Sequence, residues 1–169
     1  MNKIFVVCLL LSAIIARTQN FSPSGHDSGP SKATVTVKLH QCSLPTGIGD
    51  ADQRIVGVKV YSSDNSTSLT QVAMKMTGTS NISDVSTVKL YYTADSSRFF
   101  IGGGSTILDS ESPSAGAISL SCNQALMADT NYFWIVYDVS PSAIEGHLLD
   151  AVVDSVVVSD SAYTVTNQS

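Results

Sequence analysis

The stretch Thr130-Asn131-Tyr132-Phe133-Trp134-Ile135-Val136-Tyr137-Asp138-Val139 decides the fold: it holds the chain's one Trp and two of its six Tyr in a run of strand-forming residues. Tyr132, Trp134 and Val136 share one face of such a strand, and Phe133, Ile135 and Tyr137 share the other. Both faces are apolar, which places the strand at the centre of a sheet covered on each side. Trp134 is therefore expected in a core rather than on an open platform where a sugar ring stacks.

Working outward, period-two alternation recurs along the chain. Val35, Val37 and Leu39 alternate with Thr36, Lys38 and His40, and Val56, Val58 and Val60 with Gly57 and Lys59. In the next segment Val72, Met74 and Met76 keep one phase while Leu69 is out of it, so a bulge is expected between Leu69 and Val72. Asn81 and its hydroxyl neighbours cap a single helical turn before a strand at 87–93, in which Val88, Leu90 and Tyr92 face together. Phe99 and Phe100 read as a strand that sends one ring to each face before the Gly102-Gly103-Gly104 hinge, and Ser105–Leu108 as another short strand. Ile118, Leu120 and Cys122 share a face. After the aromatic strand, Leu149, Ala151 and Val153 form one strand and 156–165 the last. About nine short strands, with turns between them and no long amphipathic helix, predict an all-β fold: an antiparallel β-sandwich of jelly-roll or Ig-like type.

Residues 1–18 read as a secretory signal peptide, with Lys3 at its start, an apolar run from Ile4 to Ile15, and small residues at Ala16 and Thr18. Residues 19–33 read as a flexible arm, 34–166 as one β-sandwich domain, and 167–169 as a tail. Secretion to an extracellular, periplasmic or cell-surface location follows from that leader, with no membrane span after its removal. Its loss leaves seven basic against fourteen acidic residues, a net charge of −7. That balance excludes nucleic acid as a partner, since phosphate binding draws on clustered Lys and Arg. Cys42 and Cys122 are the cysteines beyond the leader. A bridge between them would close a loop of about 80 residues and stabilise by about 4 kcal/mol, with two buried thiols as the alternative.

Two segments resemble a known family. The run 77–93, Thr-Gly-Thr-Ser-Asn-Ile-Ser-Asp-Val-Ser-Thr-Val-Lys-Leu-Tyr-Tyr-Thr, is similar to the signature of the N-terminal domain of bacterial BNR-repeat sialidases (neuraminidases). The run 131–139, followed by Gly146 and Leu149-Asp150-Ala151, is similar to that domain's second half. The resemblance implies a β-sandwich accessory to a catalytic propeller, with a carbohydrate-binding role. It does not imply sialidase activity: no Ser-x-Asp-x-Gly-x-x-Trp repeat occurs, and Arg54 and Arg98 are the two arginines left beyond the leader, too few for a three-arginine carboxylate clamp.

The chemistry of the residues points the same way. His26, His40 and His147 have no triad spacing with a nucleophile, and Asp138, Asp150 and Asp154 read as solvated strand-end residues rather than a glycosidase pair. The expected function is thus non-catalytic: a secreted carbohydrate-binding module accessory to glycan degradation, or else a structural or adhesive subunit that self-assembles through sheet edges or the arm. Tyr91, with Thr87 and Lys89 on its face, and Phe99 and Phe100, beside the triple glycine, are the candidate residues for a glycan or cell-surface partner. No cofactor is expected; Asp50 and Asp52 are the weak candidates for Ca2+, as hard oxygen ligands on a loop without the full spacing of a calcium motif.

Overall fold

The computed structural model describes residues 3–5, 14–15 and 33–164. The expected leader, arm and tail fall outside these residues, apart from two short ladders of backbone pairing. Among the described residues twelve strands form: β1 (Lys3–Phe5), β2 (Ile14–Ile15), β3 (Val35–Gln41), β4 (Pro45–Gly47), β5 (Gln53–Ser62), β6 (Ser68–Lys75), β7 (Val85–Tyr92), β8 (Thr106–Glu111), β9 (Ile118–Ala125), β10 (Asp129–Val139), β11 (Val152–Val158) and β12 (Ser161–Thr164). One sheet has the order β2-β3-β5-β10-β7-β8 and a second the order β12-β11-β6-β9, with β1 and β4 paired apart. Every pairing is antiparallel. The fold is the expected β-sandwich.

The inward positions of the two sheets make one core. Val35, Val37 and Leu39 of β3, Val58 and Val60 of β5, and Val88 and Leu90 of β7 meet Leu69, Val72 and Met74 of β6, Leu120 of β9 and Val153 and Val156 of β11. These are the positions that alternation assigned to one face, because burying one side of a strand fixes its period at two. The register shift of β6 against β9 falls between Leu69 and Gln71, where the phase of the apolar residues breaks. Asn81 caps a 3-10 turn at Ile82–Asp84 by accepting a hydrogen bond from the Ser83 amide at 3.1 Å.

Two local expectations are corrected. First, the C-terminal region is one strand, β11, that turns at Ser159 (φ 50°) into the short β12, so the chain reverses where 156–165 had read as continuous. Second, Phe99 and Phe100 lie in a loop between β7 and β8, not on a strand. Of the two readings left open for Cys42 and Cys122, the structure has the free thiols. Cys42 packs with Trp134 and Val136 on the outer face of the six-stranded sheet, while the Cys122 thiol donates to the Leu69 carbonyl at 3.2 Å on the other sheet.

The strand that opened the sequence reading is central, between β5 and β7. Phe133, Ile135 and Tyr137 enter the core between the sheets. Trp134 is buried, as expected, but on the opposite face, where a loop rather than the second sheet covers it.

Candidate functional site

The outer face of the six-stranded sheet carries a groove of about 330 Å3 lined by His40, Gln41, Cys42, Ser43, Leu44, Arg54, Ser97 and Trp134. Its floor follows from register. His40, Gly57, Trp134, Tyr91 and Ile107 stand side by side on β3, β5, β10, β7 and β8. Gly57 lets the indole lie flat across β5: a Cβ there would come within 3.1 Å of the Trp134 ring.

One wall is the loop from Thr93 to Ser105. Ala94 (φ 53°) turns the chain, and the Tyr132 amide donates to the Ala94 carbonyl at 2.8 Å, fastening the loop to β10. The Thr93 hydroxyl donates to the Ser96 carbonyl and accepts from the indole Nε1 of Trp134 at 3.0 Å, so the loop also fixes the ring's orientation. Phe99 then closes over the cluster, edge-on to Tyr91 with centroids 5.2 Å apart and 6.0 Å from Trp134. Phe100 and Ile101 stand exposed at the tip of the loop, and Leu44 is exposed on the facing wall.

Charge is distributed unevenly across this face. The Arg54 guanidinium lies 5.7 Å from the centre of the Trp134 ring, and the Lys59 ammonium 5.5 Å from that of Tyr132. Beside the Lys59–Tyr132 contact a smaller depression of about 240 Å3 is lined by Thr36, Lys38, Lys59, Tyr61 and Thr130. At the other end, the Lys89 ammonium donates to Asp52 at 2.9 Å and to both oxygens of Asp138, at 2.8 and 2.7 Å. The Tyr91 hydroxyl donates to the same Asp52 oxygen at 2.9 Å. Burial opposes the charge on Lys89, but the hydrogen bonds and attraction of Asp138 and Asp52 outweigh it and hold its pKa above the ordinary lysine value. Burial, then the Asp52 carboxylate, pushes the Tyr91 hydroxyl up as well.

The structure brings Tyr91 and Phe99 together and leaves Phe100 on the rim. Asp50 and Asp52 are engaged otherwise than as a pair: Asp50 accepts from the Gly47 amide at 2.7 Å, closing its own turn, and Asp52 accepts from Lys89 and Tyr91. Among the described residues no group of three or more His, Cys, Asp or Glu is placed to hold a metal.

Arg54, His40 and Trp134 were not singled out from sequence as site residues. The available signal was Gly57, a glycine inside a valine-rich strand, which marks the close approach of another group. A second feature that spacing did not show is the contact of His147 Nδ1 with the buried Asp84 carboxylate at 2.7 Å. Asp84 also accepts from the Ile144 amide, and its carbonyl accepts from the Ser140 amide, so this pair anchors the loop at 140–147.

Residues 34–102 match the family model described as the N-terminal domain of BNR-repeat neuraminidase. Of the solved structures, the Hadza microbial sialidase Hz136 superposes with a TM-score of 0.65 at 15% sequence identity, covering 77% of this chain. The chain spans 30% of the length of that sialidase. No curated protein matches.

Proposed function

We propose that this chain is a secreted, non-catalytic module that binds glycan on the outer face of its six-stranded sheet and serves glycan degradation as an accessory. The observation that carries the reading is the groove at Trp134. An aromatic floor, an exposed apolar rim at Leu44 and Phe100, and polar groups from Arg54, His40 and Ser97 converge on one open cleft. Sugar rings present apolar C–H faces that pack on exposed apolar side chains and hydroxyls that need hydrogen-bond partners; the rim at Leu44 and Phe100 offers the first, and Arg54, His40 and Ser97 the second. The match to a neuraminidase N-terminal domain supports the accessory role. The sequence pattern of residues 1–18 supports secretion, and mass spectrometry of the exported protein tests it through the new N-terminus.

A glycan array carrying sialylated, mucin-type and plant polysaccharide ligands tests binding. Retention that is lost in Arg54→Ala and Phe100→Ala together, with the melting temperature kept, supports the reading; no retention on any class overturns it.

One observation favours a second reading, self-assembly by strand addition. The outer edge of β3 takes Ile14–Ile15 as an antiparallel neighbour, against Lys38 and Val37, so this edge accepts an added strand. Size-exclusion chromatography showing only monomers, with and without residues 19–33, counts against it.

A further inference from the structure

Resting on the glycan-binding reading above, we propose that the ligand is an acidic polysaccharide, one whose repeating sugars carry carboxylate or sulfate groups. It lies across β3, β5 and β10, from the groove at Trp134 to the depression beside Tyr132. The argument is one of charge. Six Lys and Arg fall within residues 33–164. Lys75 is paired with Asp154 on the four-stranded sheet, Lys89 is held by Asp52 and Asp138, and Arg98 stands exposed in the loop from Thr93 to Ser105. Lys38, Arg54 and Lys59 make no ion pair among the described residues, and all three lie on the outer face of β3 and β5, on a chain of net charge −5.

Their placement follows the aromatic residues. Lys59 lies over Tyr132 and Arg54 over Trp134, so one arrangement, a cation held at a ring, occurs twice along β10. Tyr132 and Trp134 are two positions apart on β10, which sets the rings roughly 7 Å from one another along the strand. Lys38 stands beside Lys59 in the β3–β5 ladder and doubles the charge at the smaller depression. On this face Asp52 and Asp138 sit beyond Trp134 at the far end and are already bound by Lys89, while Asp129, at the start of β10, accepts from the Thr130 hydroxyl at 3.0 Å. A neutral glycan would leave these three sheet cations without counter-charge, whereas a chain with an acidic group on successive sugars meets them in turn.

Trp134 is the one Trp of the chain, so its emission reports binding directly. The full chain is titrated with chondroitin sulfate and with polygalacturonate, with neutral dextran and xylan and a single-stranded oligothymidylate as comparisons. Expected is a change in Trp134 emission with one or both acidic polysaccharides, weakened tenfold or more between 50 and 500 mM NaCl. The double variant Lys38→Gln/Lys59→Gln should lose tenfold or more in affinity at unchanged melting temperature, and Lys75→Gln should lose nothing. Binding to neutral polysaccharide alone, without salt dependence, overturns the acidic assignment and leaves the glycan-binding reading standing. Absence of binding to any polysaccharide overturns both. Equal binding of the oligothymidylate in competition overturns the assignment to a glycan.

Discussion

Phe99→Ala opens the groove at its cover. The ring is half-buried, edge-on to Tyr91 and 6.0 Å from Trp134, and few other apolar groups lie over the indole. Truncating a fully buried Phe costs about 3–5 kcal/mol. Half that burial, with the aromatic contact included, gives about 2 kcal/mol here. For a domain of this size the loss corresponds to a fall in melting temperature of roughly 8 °C.

The same change wets the indole, which is 5% exposed in the native fold. Fluorescence of the native variant should move to longer wavelength and be quenched more strongly by added ions. Because the Arg54 guanidinium lies 5.7 Å from the ring, iodide should quench more than caesium does at equal ionic strength. Should stability fall while emission and quenching stay as in the wild type, Phe99 is not the cover of Trp134. Equal quenching by the two ions refutes the cationic character given to the groove.

Other perturbations test the frame that holds this face. Lys89→Met leaves the Asp52 and Asp138 carboxylates together without their cation, and should cost roughly 2 kcal/mol at pH 7 in urea unfolding. In the wild type the Lys89 pKa is raised on folding. Its contribution is complete below the unfolded lysine value of about 10.4 and is lost as pH rises through the folded value, so thermal scans should show stability falling there. Burial holds the Tyr137 hydroxyl far above the ordinary tyrosine value, so its ionisation, read by absorbance near 295 nm, should coincide with alkaline unfolding. Asp150 is the carboxylate whose pKa burial raises. Its stabilising share is full below about pH 3.9 and lost as pH rises through its folded value, so Asp150→Asn should raise the melting temperature at pH 7 and leave it unchanged at pH 3. Asn131→Ala should cost about 2–4 kcal/mol in urea unfolding: the buried amide accepts from the Tyr92 hydroxyl and the Met127 amide and donates to the Met127 carbonyl, all three left without it.

What could be read from sequence was whatever a half-buried strand imposes locally. Val35, Val37 and Leu39, or Val88, Leu90 and Tyr92, declare their inward face because their neighbours are polar. The break of phase after Leu69 showed the bulge, and Asn81 showed the cap, since both rest on residues a few positions apart. The aromatic strand could not declare a face, being apolar on both. What decides it lies far away in the chain: Gly57, which makes room for the indole, and the loop from Thr93, which covers it. The turn at Ser159 was missed because a serine with positive φ carries no signal like that of glycine. At the site, Tyr91 and Phe99 were found from their neighbours, whereas Arg54 and His40 are brought to Trp134 only by strand pairing across β3, β5 and β10. For Cys42 and Cys122 the sequence left a bridge and two thiols open, since parity gave Cys122 a face but neither cysteine a sheet.

The most direct test of the account is the indole N–H resonance of Trp134, a single peak in a 15N correlation spectrum of this one-tryptophan chain. During titration with the glycan that an array selects, the account predicts that this peak and the backbone amides of His40, Gly57 and Ser97 shift together and saturate at one affinity. Shifts confined to β6, β9, β11 and β12, with the indole peak unmoved, would contradict it.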